Sequence, residues 1–315
     1  MIISASRRTD IPAFYAEWFA NRIREGFVCV RNPMNAHQVS RVSLDPALVD
    51  CIVFWTKNPA PMLEHLDAFA AYPYYFQATL TGYGRDVEGN LPDKHEVLLP
   101  AMKELAHRIG PERVVWRYDP ILFNEKYTPQ YHLRAVGEIA EELEGCTEKC
   151  VISFVDTYQR NRKSIETLGA RDDLPSEREF RAFATELADT VRAHGMACAS
   201  CAERVNLADC GIEHNCCVDR TLIERILGCP LDVKKDKTQR PECGCVTSID
   251  VGTYNTCPHG CRYCYANFSP ESVERSRAAY DPASPLLCDH LREDDVVTDR
   301  KVKRLSSGQA TLPFA

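Results

Sequence analysis

A chain of 315 residues is long enough for one large α/β domain or two smaller ones, and 44% hydrophobic residues supply a sizeable core, which excludes disorder as the default. A formal net charge of -7 argues against a protein that coats nucleic acid, because phosphate binding asks for a basic surface. No apolar run reaches the ~18 residues of a membrane span, and the first eight residues lack the apolar core of an export signal, so a cytoplasmic location without membrane contact is expected.

In chain order, Ile2–Ser6 reads as a short buried strand. It stops in a polar group (Arg7, Arg8, Thr9 and Asp10), after which Pro12 opens a helix to about Arg24. Phe27–Arg31 and Val39–Val42 suggest a hairpin accessory to the core. Val49–Trp55 is the next strand and ends at Thr56 and Lys57; a helical stretch follows from about Pro61 to Ala71. Tyr74–Thr81 is a strand with Thr79 and Thr81 at its end, and His95–Ile109 has helical periodicity. Arg113–Tyr118 is a strand that carries Arg117 and runs into Asp119. Tyr131–Leu143 is helical; Lys149–Val155 is a strand with Ser153 near its end and Asp156 just beyond. Glu177–His194 is a long amphipathic helix, Met196–Ser200 a weaker strand, and Cys245–Val251 the last strand.

Apolar runs of four to seven residues alternating with helices predict parallel βα units. The fold class expected is α/β, a partial or full TIM-like (β/α) barrel. Such barrels gather their active site at the C-terminal ends of the strands. Arg117 and Asp119, at i and i+2, share one face of theirs. The competing account is that these are ordinary polar loop residues.

Sixteen cysteines in a chain with no export signal point to a reducing compartment, where clustered cysteines bind metal more often than they pair. Cys257, Cys261 and Cys264 sit at x3 and x2 spacing on a tight loop with Pro258 and Gly260. The spacing brings three thiolates round one centre and offers no obvious fourth, whereas structural zinc normally closes on four protein ligands. A [4Fe-4S] cluster on three cysteines keeps one iron open. The alternative is a zinc knuckle that borrows His259 or Cys245.

The C-x3-C-x2-C spacing, with the aromatic Tyr263 before the last cysteine, resembles the signature of the radical S-adenosylmethionine (SAM) enzymes. The resemblance is to a radical SAM family with C-terminal cluster ligands. It runs from Ser4–Asp10 through Thr56–Pro59 and Trp116–Pro120 to the cysteine loop. In most of the superfamily the cysteine loop follows the first barrel strand. Here the strand and its loop come last, which implies a circular permutation: residues 1–197 and 246–285 form the barrel, with Ile2–Ser6 in second place. Residues 198–245 form a Cys-rich segment and 286–315 a tail strapped over the barrel by Leu312 and Phe314. Arg117–Ile121 is also similar to a strand end in spore photoproduct lyase.

The resemblance implies SAM on the open iron, reductive cleavage to a 5′-deoxyadenosyl radical, and a one-electron donor such as flavodoxin or ferredoxin. Arg7, Arg8 or Arg117 would meet the SAM carboxylate and Asp119 or Asp156 the ribose. Tyr263 and Ser153 join the cofactor-binding set, and Arg117, Asp119 and Asp156 are the catalytic candidates. A purely structural Arg–Asp pair competes with these roles.

Eight cysteines lie between Cys198 and Cys245, enough to close round a second centre, although spacing alone does not choose four. The resemblance favours Cys201, Cys217, Cys243 and Cys245 as ligands of an auxiliary [4Fe-4S] cluster, with zinc as the alternative. Since Cys243 and Cys245 precede the last strand, this cluster is expected at the strand's opposite end from the first, about 17–20 Å away. Three functions follow: a radical SAM enzyme of unknown substrate, a nucleic-acid repair enzyme like the photoproduct lyase, which the acidic balance disfavours, or a non-catalytic iron–sulfur or zinc protein.

Overall fold

A computed structural model describes residues 1–170 and 176–307. The expected packing of Leu312 and Phe314 lies outside the described residues. Strand β1 (Ile2–Ala5) leads to α1 (Ile11–Phe14) and α2 (Ala16–Glu25). The single helix expected from Pro12 is broken at Tyr15, whose hydroxyl donates to the Thr256 carbonyl beneath the cysteine loop. Strands β2 (Phe27–Arg31) and β3 (Gln38–Ser43) form the expected hairpin, and β11 (Val296–Asp299) adds to β3 in parallel as a small separate sheet.

The main sheet takes β1, then β4 (Cys51–Thr56), β5 (Tyr74–Thr79), β6 (Val114–Ile121), β7 (Lys149–Phe154), β8 (Ala197–Cys201), β9 (Glu213–Asn215) and β10 (Ile249–Asp250). Between them run α3 (Ala60–Leu63), α4 (Leu99–Ile109), α5 (Pro129–Glu142), α6 (Arg162–Thr167), α7 (Glu177–Ala193) and α8 (Arg220–Leu227); α9 (Pro270–Ala278) follows β10. All eight strands are parallel, in the order β10-β1-β4-β5-β6-β7-β8-β9. The last strand therefore lies beside the first, Ile3 opposite Ile249. The two edges, β9 and β10, do not pair with each other, so the sheet is open in its hydrogen bonding.

Side-chain alternation assigns the two faces. Ile3, Phe54, Phe76, Trp116 and Ile152 pack against the helices, in one core with Trp18, Phe19, Leu105 and Leu187. Each such side chain, fully buried, contributes about 1.5–3 kcal/mol. Ile2, Val53, Tyr75, Val115 and Val151 point the other way and share a core with Leu222 and Ile223 of α8 and with Cys217 and Cys245. The Cys-rich segment, expected to stand apart from the barrel, thus supplies most of β8 and all of β9 to the sheet and also covers its second face. Further along each strand that same face turns polar: Ser6 after Ile2, Lys57 after Val53, Thr79 after Tyr75, Arg117 and Asp119 after Val115, Ser153 after Val151.

The last strand is shorter than its β-branched sequence suggests. The Val246 amide donates to the Val218 carbonyl at 3.1 Å and the Thr247 amide to the Lys234 carbonyl at 3.0 Å. Those residues belong to the Cys-rich segment, and only Ile249 and Asp250 remain to pair with β1.

Candidate functional site

One cavity of about 490 Å³ opens where the polar ends of the strands meet. Its wall includes Arg7 after β1, Lys57 after β4, Thr79 of β5, Asp119 of β6, Ser153 of β7 and Cys201 of β8. A ligand site at the carboxyl ends of parallel strands is what open and closed α/β sheets share. Cys257, Cys261 and Cys264 line this cavity, and so do Cys201, Cys217, Cys243 and Cys245.

The cysteine loop is anchored through the buried Asp10 and His259. Asp10 caps α1 by accepting from the Ala13 amide at 3.0 Å, accepts from the Lys57 amide at 2.7 Å, and faces His259 Nε2 at 2.8 Å. His259 packs edge-on against Phe14, 4.6 Å between ring centres. Its Nε2 is therefore committed to Asp10, while its Nδ1 is buried without a hydrogen-bond partner. The segment after Gly84 grips the loop from the other side: the Asn90 amide donates to the His259 carbonyl at 3.0 Å and the Arg262 amide to the Val87 carbonyl at 2.9 Å. Gly260 supplies the left-handed turn, φ 69°, between the first two cysteines.

Burial pushes all three thiols up, Cys261 to about 12 with Lys57 pulling the other way. A cation must replace those protons before they act as ligands. Among the described residues, no three cysteine sulfurs lie within 4.8 Å of one another. Thiolates closed round one zinc at about 2.3 Å would stand about 3.8 Å apart.

Beneath the loop, Glu88 holds two lysines: Oε1 meets Lys57 Nζ and Oε2 meets Lys94 Nζ, each at 2.7 Å. The Tyr263 hydroxyl donates to Glu88 Oε1, and Lys57 Nζ lies 5.4 Å from the Tyr263 ring centre. Burial pushes the Glu88 carboxyl up, but the two ammonium groups outweigh it and pull the carboxyl down to about 2. Tyr263, expected to touch a cofactor, lines the cavity and also locks this ion network.

The second cysteine group is assembled from distant segments. Cys201 ends β8, Cys217 follows β9, and Cys243 and Cys245 come from the loop before β10. Cys201 Sγ lies 3.1 Å from Cys217 Sγ. The expectation that this group would sit at the far end of the last strand is corrected, since both groups face one cavity. The reason is the short β10, which leaves Cys245 beside Val218 instead of extending it along β1.

The expected polar residues divide between the two groups. Arg117 Nη1 donates to Cys217 Sγ at 3.0 Å, while its Nε donates to Asp119 at 2.9 Å. Ser153 Oγ donates to the other Asp119 oxygen. Asp156, at the cavity mouth, is paired with Arg240. Arg8 donates to the Gly252 carbonyl at 3.3 Å and lies 5.0 Å from the Tyr254 ring. Arg7 lies over Trp55 at 5.1 Å, and its Nη2 is buried with no hydrogen-bond partner. That orphan donor on the cavity wall suits an anionic group.

Glu88, Lys94 and Glu203 were not among the expected site residues. Burial pushes the Glu203 carboxyl up to about 7, although it accepts from the Phe154 amide at 2.8 Å. The sequence signal for Glu203 was its place two residues after Cys201; Glu88 carried none. A comparison with curated proteins found no match to the chain. Residues 2–266 match the family described as a domain of unknown function (DUF1848), and the chain belongs to that family.

Proposed function

We propose that the protein is a radical SAM enzyme whose parallel sheet is a circularly permuted, partial TIM-like barrel. The observation that carries the reading is the placing of Cys257, Cys261 and Cys264 in the cavity formed by the strand ends, whose wall Arg7 also joins with its unpartnered Nη2. Cys257, Cys261 and Cys264 would hold a [4Fe-4S] cluster, which with bound SAM would supply reductive cleavage to a 5′-deoxyadenosyl radical for hydrogen abstraction from a substrate. Three half-buried thiols that do not all lie within 4.8 Å of one another suit such a cluster better than a closed zinc site. Lys57 sets a positive charge beside Cys261, and the carboxylate of SAM finds a free donor in Arg7. Asp119 offers an acceptor to the ribose from a position fixed by Ser153. The second group, Cys201, Cys217, Cys243 and Cys245, would hold an auxiliary [4Fe-4S] cluster. A one-electron donor of the flavodoxin or ferredoxin class supplies the reductant.

Anaerobic reconstitution should give about eight irons per chain, and SAM with dithionite should yield 5′-deoxyadenosine. The triple variant Cys257→Ala, Cys261→Ala, Cys264→Ala should keep about four irons and release none. Zinc at the three cysteines, or intact SAM after incubation, would overturn the reading in favour of a non-catalytic metal protein.

A further inference from the structure

Three side chains reach Cys217 from the sheet. Tyr75 donates its hydroxyl to the Cys217 carbonyl at 2.6 Å, and Gln77 Nε2 donates to the same oxygen at 3.0 Å. Arg117 Nη1 donates to the sulfur itself at 3.0 Å, and Gln77 Oε1 accepts from that nitrogen at 3.2 Å. On its other side the guanidinium is held by Asp119. The planar fork of Arg117 is thus fixed at both ends, and the residue is only 5% exposed. Held so, Arg117 keeps one N–H aimed at a ligand sulfur and a full positive charge beside it.

Hydrogen bonds to ligand sulfurs and nearby charge are two of the terms that set an iron–sulfur potential. A fixed cation favours the reduced, more negative form of the centre, and burial strengthens the effect. We propose that Arg117 is a positioning residue that raises the reduction potential of the centre held by Cys201, Cys217, Cys243 and Cys245. Asp119 and Gln77 serve it by fixing its direction. The proposal rests on reading those four cysteines as an iron–sulfur site. It moves Arg117, one of three candidates for the SAM carboxylate, to the second centre.

The test uses the full chain carrying Cys257→Ala, Cys261→Ala and Cys264→Ala, so that only the second centre reports. After anaerobic reconstitution, iron and zinc are counted and the midpoint potential is read by dithionite titration followed by electron paramagnetic resonance. Adding Arg117→Gln should make reduction about tenfold less favourable, a shift of about 59 mV to more negative potential. Arg117→Lys, which keeps the charge and loses the fork, should shift the same way by less. If Arg117→Gln fails to retain iron, the lysine variant decides: a negative shift supports the proposal and an unchanged potential overturns it. Potentials unchanged in both variants overturn it while leaving the iron–sulfur reading intact. Zinc in the parent, with no iron, overturns both.

Discussion

Glu88 shows how much of the site depends on one side chain. It is almost fully buried and joins Lys57, Lys94, Thr81 and Tyr263. Glu88→Gln would leave two ammonium groups facing a neutral amide. Stranding a buried charge costs about 3–5 kcal/mol, and urea unfolding at neutral pH should show a loss of that size. The folded carboxyl, at about 2, lies below its ordinary value of 4.5. Its contribution is therefore fully present above about pH 4.5 and is lost as pH falls towards about 2. The gap between wild type and variant should hold steady near neutrality and close in acid; a gap that widens in acid would contradict the network. Lys57 was visible in the sequence as a polar residue at a strand end. Glu88 was not, because its partners lie 31 residues before it and 6 after it and no local pattern joins them.

The element that governs the first cysteine group is β10 with the turn that follows. Asp250 accepts from Ser4 at 2.9 Å, from Ser6 at 2.6 Å and from the Arg7 amide at 3.0 Å, which ties the ends of β10 and β1 together. Gly252 lets them approach: a Cβ there would stand 2.1 Å from Ser6 Oγ and 2.5 Å from Ser6 Cβ. Gly252→Ala should destabilise the fold by about 1–3 kcal/mol. It should also reduce iron at Cys257, Cys261 and Cys264 more than at the second group. Wild-type iron content and thermal stability in this variant would show that the turn does not position the loop. Most strands were legible because strands buried on both faces read as apolar runs. β10 was misjudged at Cys245–Ser248, where the sequence favours a strand but the Val246 and Thr247 amides bond to other loops. That one error displaced the second cysteine group to the wrong end of the sheet. Tertiary hydrogen bonds, invisible in local pattern, decided it.

For the molecule as a whole, the two ends of the described chain are clasped at Asp50. Its buried carboxylate accepts from the Met1 ammonium, from the Leu305 amide at 2.8 Å and from the Ser306 amide at 3.0 Å. Asp50→Ala should cost about 3 kcal/mol or more and expose residues near 305 to limited proteolysis. An unchanged digestion pattern would count against the clasp. Strand neighbours far apart in sequence have another effect. Ile3 lies opposite Ile249, so during synthesis β1 leaves the ribosome long before its partner exists. At about 5–20 residues per second the wait is roughly 12–50 s, with that edge of the nascent sheet unpaired throughout. Cys257, Cys261 and Cys264 emerge later still, so an inorganic cofactor held there would enter only after all eight strands of the main sheet have been made.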